Sequence, residues 1–186
     1  MITLIIIDCQ NDFLTGTMST KGAKNVIERI KIFIKNFRKQ ISKIIFTLDW
    51  HPYNHVSFKK YGGEYPHHCI QYTPGACIEP KLLKFIQSLE LKYDCVLKGQ
   101  SEEVDESGAF SDIAFASDQF GSRIYLDTSE ISTDSEIIIC GIAHTVEATI
   151  LNLLNENIIP KVYVDGLVGD IKSLKQFIKD NRLETV

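Results

Sequence analysis

Residues 138–149 read IICGIAHTVEAT. Apolar, mostly β-branched residues come first, Gly141 marks a turn, and the residues after it begin a helical pattern. This segment therefore predicts a buried strand, a turn and the start of a helix. In an α/β protein, such a strand-to-helix junction lies at the edge of the sheet where ligands bind.

Apolar runs like the one at 136–140 recur along the chain, at residues 2–8, 43–48, 95–98 and 161–164. Their apolarity is continuous rather than alternating, which is typical of strands buried on both faces of a parallel sheet. Helical spacing of apolar residues separates the runs, at 26–37, 82–89, 148–154 and 174–178. We predict a doubly wound α/β sandwich. An irregular connection is expected over the polar residues 121–135.

Length and composition restrict the class of protein. The chain has 186 residues and a formal net charge of -4, without a stripe of basic residues. We expect a single domain over residues 1–186, with neither nucleic acid nor membrane as a partner. Its five cysteines are odd in number and have no CxxC spacing, which favours reduced thiols and a cytoplasmic protein.

Charged residues close three of the predicted strands. Asp8 follows the first run, Asp49 the second and Lys98 the third. Because the carboxyl ends of parallel strands meet at one edge, we expect these side chains to lie together. Asp8 is a candidate base, ligand or helix cap, and Lys98 could hold it ionised. The acidic residues at 102–106 are predicted to be a solvated loop face.

Histidines cluster close to Asp49. His51 and His55 follow it, and two more imidazoles come at His67 and His68. Histidine and carboxylate together suit a divalent cation, for which Zn²⁺ is the first expectation and Fe²⁺ or Mn²⁺ are alternatives. Loop histidines that bond only to backbone or solvent are the competing interpretation.

With these motifs the chain resembles the nicotinamidase/pyrazinamidase branch of the isochorismatase-like cysteine hydrolases. The resemblance covers nearly the whole chain. Its motifs are IDCQNDF at 7–13, DWHP at 49–52, HVSF at 55–58, YPHHC at 65–69, KG at 98–99 and CGIA at 140–143.

The resemblance implies a three-layer α/β/α sandwich with a six-stranded, mostly parallel sheet. It also implies that nicotinamide and water give nicotinate and ammonia, so a pyridine carboxamide is the expected small-molecule partner. A homo-oligomer is a further alternative. A divalent metal ion is the implied cofactor.

Roles can be carried onto matching positions of this chain. The catalytic positions fall on Asp8 as base, Lys98 as its partner and Glu147 at the nucleophile position. The implied metal ligands are Asp49, His51 and His68, with His55 at or near the ion. Phe13 and Tyr65 match the aromatic walls of the substrate pocket. The backbone amides of Ala143 and Glu147 match the oxyanion hole, and the resemblance implies a cis peptide before Ala143.

The nucleophile position departs from the family pattern. Family members carry cysteine there, whereas a gap-free match gives Glu147, and a two-residue deletion gives Thr145. The gap-free match is preferred because Ala148, Leu151 and Leu154 then keep the helix phase. A carboxylate is far less nucleophilic toward an amide than a thiolate, so activity is expected to be impaired or lost.

Three hypotheses for the function follow. In the first, the chain is a degenerate nicotinamidase that binds a pyridine-like ligand or a protein partner. Alternatively it is a hydrolase working by another route, or a structural subunit of an oligomer. Metal binding and ammonia release separate these alternatives.

Overall fold

The computed structural model of the protein describes residues 1–110 and 135–186. Strands and helices alternate along the chain. The strands are β1 (Ile2–Ile7), β2 (Ile41–Asp49), β3 (Tyr93–Lys98), β4 (Glu136–Ile142) and β5 (Lys161–Val168). The helices are α1 (Asn11–Leu14), α2 (Ala23–Phe37), α3 (Pro80–Ser88), α4 (Ala143–Asn155) and α5 (Ile171–Asp180).

The described strands form one sheet in the order β3-β2-β1-β4-β5, and every neighbouring pair is parallel. The predicted α/β fold with a parallel sheet is confirmed. The strand count differs, since the described residues contribute five strands to the sheet rather than the predicted six.

Helices cover both faces of the sheet, as a doubly wound fold requires. Along β1, Leu4 and Ile6 join the core cluster that includes α2 and α3, while Ile5 and Ile7 join the cluster that includes α4 and α5. All four of these residues are fully buried. Burial of one such side chain contributes roughly 1.5–3 kcal/mol, which explains the continuous apolar run in the sequence.

Helix α4 differs from its predicted phase. Its buried face contains Val146, Ile150 and Leu153, whereas Leu151 is 45% exposed. The predicted helix phase of Ala148, Leu151 and Leu154 is therefore wrong for Leu151, whereas Leu154 packs against the core. The helix begins at Ala143, directly after β4, and this start places a different set of residues against the sheet.

Among the described helices, none combines the length and apolarity needed to cross a membrane. The irregular connection predicted for 121–135 lies, except for its last residue, outside the described residues.

Candidate active site and metal centre

Three charged side chains meet where β1, β2 and β3 end. Lys98 closes β3 and pairs in register with Asp49, which closes β2. Asp8 follows β1 with a φ of 51°, and its amide donates to the carbonyl of Thr47 at 3.0 Å. A positive φ turns the chain sharply and is one that aspartate tolerates better than most residues. The parallel register thus brings the predicted residues Asp8, Asp49 and Lys98 together.

Lys98 bridges the two carboxylates. Its ammonium lies 3.1 Å from Asp8 Oδ2 and also pairs with Asp49 Oδ1. Only 2% of Lys98 is exposed, so its charge depends on these partners. Burial would lower the pKa of Lys98, but the two carboxylates hold it above its ordinary value.

The two aspartates respond differently to this environment. Burial raises the pKa of Asp8 to about 6, against the opposing charge of Lys98. Burial would also raise the pKa of Asp49, but Lys98 and hydrogen bonds from two histidines hold it well below its usual range. Asp49 is therefore a permanent carboxylate, whereas Asp8 can exchange a proton near neutral pH.

Three side chains offer ligand atoms to one point. Within residues 1–110 and 135–186, the group Asp49, His51 and His68 has its ligand atoms within 4.8 Å of one another. The Nε2 atoms of His51 and His68 lie 3.4 Å and 3.6 Å from Asp49 Oδ2. The resemblance implied the same three residues.

Backbone carbonyls orient both imidazoles. His51 Nδ1 lies 2.9 Å from the carbonyl oxygen of Gly99, and His68 Nδ1 lies 2.9 Å from that of Pro66. A carbonyl only accepts, so each Nδ1 carries a proton and each ring turns its Nε2 toward Asp49 Oδ2. This arrangement is typical of metal-binding histidines, and the residues fit a divalent cation.

Gly99 and Glu106 support His51 from behind. Gly99 has a φ of 64°, and a Cβ at this position would lie 2.6 Å from His51 Nδ1. The Gly99 amide donates to Glu106 Oε2 at 3.1 Å. Glu106 is only 8% exposed, so the prediction of a solvated loop face is wrong for this residue. A glycine directly after a strand-end lysine was the signal in the sequence for this tight turn.

Gln10 is a second supporting residue that the sequence analysis did not single out. Its side-chain amide donates to the carbonyls of Asp49 at 2.7 Å and Ala76 at 2.8 Å. Its side-chain oxygen accepts from the Asp49 amide at 2.8 Å. Gln10 therefore fixes the backbone that carries the carboxylate ligand. Its signals in the sequence were its polar side chain close to the buried β1 run and its place in the motif IDCQNDF.

His55 lies beside the metal centre but outside its ligand group. Its Nδ1 is 2.7 Å from Ser57 Oγ and its Nε2 is 3.0 Å from the Val104 carbonyl. Its ring packs on the His51 ring, with centroids 4.1 Å apart. Both ring nitrogens are thus engaged elsewhere, and His55 supports the position of His51 instead of adding a ligand.

A small pocket opens over these residues. Its lining includes Phe13 and Tyr65 together with Asp49, His51, His68 and Lys98. The rings of Phe13 and Tyr65 stand edge-on to His68, at centroid distances of 5.5 Å and 5.8 Å. The predicted aromatic residues therefore lie next to the metal centre.

Two residues of α4 reach this pocket, His144 and Thr145. Thr145 lines the pocket, is 2% exposed, and helps to lower the pKa of the nearby Asp8 carboxyl. Glu147 does not line the pocket. Two residues along an α-helix rotate the side chain by about 200°, so Glu147 projects to nearly the opposite side. The structure thus favours the deletion match, and the gap-free placement of Glu147 is corrected.

The two-residue shift also affects the backbone amides of Ala143 and Glu147, which the resemblance matched to an oxyanion hole. Ala143 is the first residue of α4 and Glu147 is the fifth. Only about the first four N–H groups of an α-helix lack a partner within the helix, so the Ala143 amide is available and that of Glu147 is not. The implied cis peptide before Ala143 is not found, because all described peptide bonds are trans.

No thiol reaches the pocket. All five cysteines are free and lie among the described residues, and none of them lines it. Burial raises the pKa of the Cys9, Cys69 and Cys140 thiols, which keeps them protonated. Cys9, although adjacent to Asp8, packs in the hydrophobic core.

Comparison with known proteins identifies relatives of the chain. Residues 3–87 match the isochorismatase domain. The nicotinamidase of Saccharomyces cerevisiae is 26% identical over 139 residues, which cover 61% of this chain and 63% of the yeast protein. The nicotinamidase of Acinetobacter baylyi is 31% identical over 124 residues, 58% of this chain and 54% of that protein. These matches thus span somewhat more than half the length of either relative.

Solved structures share the fold along the whole chain. The pyrazinamidase of Pyrococcus horikoshii in complex with zinc superposes with a TM-score of 0.77 at 24% identity, covering 100% of this chain and 98% of that one. The yeast nicotinamidase gives a TM-score of 0.82 at 23% identity, covering 100% and 99%. Sequence motifs, domain match and fold agree in one direction: the chain is similar to the nicotinamidase/pyrazinamidase branch of the isochorismatase-like superfamily.

Proposed function

We propose that this protein binds a divalent metal ion and a pyridine carboxamide, and that it hydrolyses the amide to a carboxylate and ammonia. The observation that supports this most is the convergence of two sets of side chains at one pocket, which the metal set and Lys98 line and where Asp8 contacts Lys98 at 3.1 Å. Asp49, His51 and His68 form the metal set, and Asp8 and Lys98 form the acid–base set. The relatives named as nicotinamidases supply the substrate class.

Asp49, His51 and His68 would hold the cation, which would supply a Lewis acid for the ring nitrogen of the substrate. The chain's own residues do the rest. Phe13 and Tyr65 enclose an aromatic ring next to His68. Asp8 accepts a proton from the attacking group, and Lys98 keeps Asp8 ionised for that task. The free amide of Ala143 can donate to a carbonyl oxygen that becomes negative during attack.

The lack of a cysteine in the pocket lowers the expected rate of amide hydrolysis. No cysteine lines the pocket of the described residues, so the usual thioester route of the family is closed. We expect hydrolysis to be slower than in thiol-bearing members. A protein that binds the pyridine ligand without turnover is the second candidate function, and the same absence of a thiol supports it.

Ammonia release from nicotinamide and pyrazinamide by metal-loaded protein tests the proposal, with benzamide as the control substrate because it lacks the ring nitrogen. Calorimetric titration with the same compounds measures binding. We expect binding that requires both metal and ring nitrogen, together with slow ammonia release. Equal binding of benzamide, or binding without metal, would refute the proposed function.

We also place the protein in a reducing compartment such as the cytoplasm. All five cysteines are free, and the three buried ones belong to the core rather than to disulfide pairs. Fractionation of the native cell with an antibody to the chain tests this placement.

A further inference from the structure

We propose that the hydroxyl oxygen of Thr145 is the attacking atom of this site, and that it forms an ester with the acyl carbon of the substrate. This inference rests on the proposed function, because it requires a bound carboxamide. It assigns a catalytic role to a residue that the gap-free match to the family passes over.

Position is the first argument. Thr145 is the third residue of α4, which starts without any linker after β4. It is 2% exposed and lines the same pocket as Lys98 and the metal set. Thr149, one turn further on the same side, is fully buried and its Oγ1 accepts from the Ala109 amide at 3.1 Å. This face of the helix is therefore fixed against the sheet edge and cannot present Glu147 instead.

The surroundings of the hydroxyl are the second argument. Thr145 Oγ1 donates to the carbonyl oxygen of Ile142 at 2.9 Å. The Thr145 side chain also lies close enough to Asp8 to help lower the pKa of that carboxyl. For attack, the hydroxyl proton turns from the Ile142 carbonyl to the Asp8 carboxylate. A hydroxyl within hydrogen-bond reach of a base that a third group orients is the general signature of an activated nucleophile. Here the third group is Lys98, 3.1 Å from Asp8.

The reaction balances without any further reactant except water. The bond from Thr145 Oγ1 to the acyl carbon forms while the hydroxyl proton moves to Asp8. The carbon–nitrogen bond then breaks, and ammonia leaves with the proton from Asp8. Water next attacks the ester, which releases the carboxylate product and restores the Thr145 hydroxyl. Asp8 serves as base in both halves and as acid in the first.

Two single cysteine variants locate the attack position. We expect Thr145→Cys to release ammonia from nicotinamide faster than the wild type by about 10²-fold, the scale of one well-placed catalytic group. Glu147→Cys is the matched control and should keep the wild-type rate. If Glu147→Cys gains activity and Thr145→Cys does not, the assignment is overturned. The assignment is also overturned if both variants bind nicotinamide and metal but neither releases ammonia faster than the wild type.

Two further variants at the same position test the hydroxyl itself. Thr145→Val keeps the side-chain shape and should lose at least about 10²-fold of the wild-type rate, while Thr145→Ser should retain it. Acid-quenched wild-type protein should show the mass of the ester, and Thr145→Val should not. A Thr145→Val rate equal to wild type, or a wild type without turnover, would refute attack by the hydroxyl. Metal and nicotinamide binding, measured on every variant, reports separately on folding and on the proposed function.

Discussion

Different interactions position the two halves of the site: the metal half, formed by Asp49, His51 and His68, and the attack half, formed by Asp8, Lys98 and Thr145. In the metal half, carbonyls of Gly99 and Pro66 fix the imidazoles of His51 and His68 through hydrogen bonds from the backbone-facing Nδ1 atoms. In the attack half, position depends on buried charge, since Lys98 must satisfy two carboxylates at once. The backbone therefore preorganises the metal half, whereas the attack half depends on a charge balance that a single substitution can disrupt.

The largest effect is expected in the attack half. Lys98→Met leaves Asp8 and Asp49 buried without their cation, and we expect the free energy of unfolding of metal-free protein to fall by about 3–5 kcal/mol. Urea denaturation measures it. Lys161→Met is the matched control, because Lys161 pairs with Glu136 and Glu184 at the exposed surface and should matter little. Equal stability of the two variants would mean that buried charge does not hold this half together.

Loss of a ligand is the next largest effect and concerns the metal half alone. His51→Ala or His68→Ala should weaken metal binding by more than about 100-fold, the upper range for changes behind the ligands. Metal competition with a chelating dye measures the affinity. The control is His55→Ala, since both nitrogens of His55 are engaged by Ser57 and Val104. If His55→Ala lost as much metal affinity as His51→Ala, this would contradict a ligand group of three residues.

A smaller effect is expected from the backbone that supports His51. Gly99→Ala strains a φ of 64° and places a Cβ against the His51 ring. We expect metal affinity to drop by about 10–100-fold, as for other outer-shell changes. Gly62→Ala is the control, because Gly62 also has a positive φ but no atom within 4 Å of the added Cβ. If the two variants bind metal equally well, backbone preorganisation of this half is not the cause of its affinity.

The smallest effect is a pH dependence of the attack half. Burial raises the pKa of Asp8 from 3.8 to about 6, so the folded protein holds this proton more tightly than the unfolded chain does. The base form is therefore lost below pH 6, and kcat/KM should fall about tenfold per pH unit there. Above this pH the profile should level off. A flat profile down to pH 5, in metal-saturated protein, argues against Asp8 as the base.

The sequence predicted the metal half of the site better than the attack half. Asp49 and Lys98 end strands, and His51 and His68 belong to the motifs that follow Asp49, so strand assignment and family motifs sufficed to bring them together. Thr145 lies on a helix, where an error of two residues moves the side chain to the other side. The predicted phase relied on Leu151, which is 45% exposed, and it therefore selected the wrong residue.

Supporting residues were harder to predict than ligands. Gln10 and Glu106 act on backbone groups of residues distant in sequence, and polar residue type alone does not reveal such partners. Glu106 in particular was grouped with its acidic neighbours. The overall sheet followed directly from the apolar runs, because burial on both faces leaves a continuous signature in each strand.

A crystal structure of metal-loaded protein with bound nicotinamide is the decisive experiment, with anomalous scattering to locate the cation. We expect a cation bound by Asp49, His51 and His68, and a carboxamide carbon about 3–3.5 Å from Thr145 Oγ1. An amide carbon facing Glu147, or a cation away from these three side chains, would contradict it.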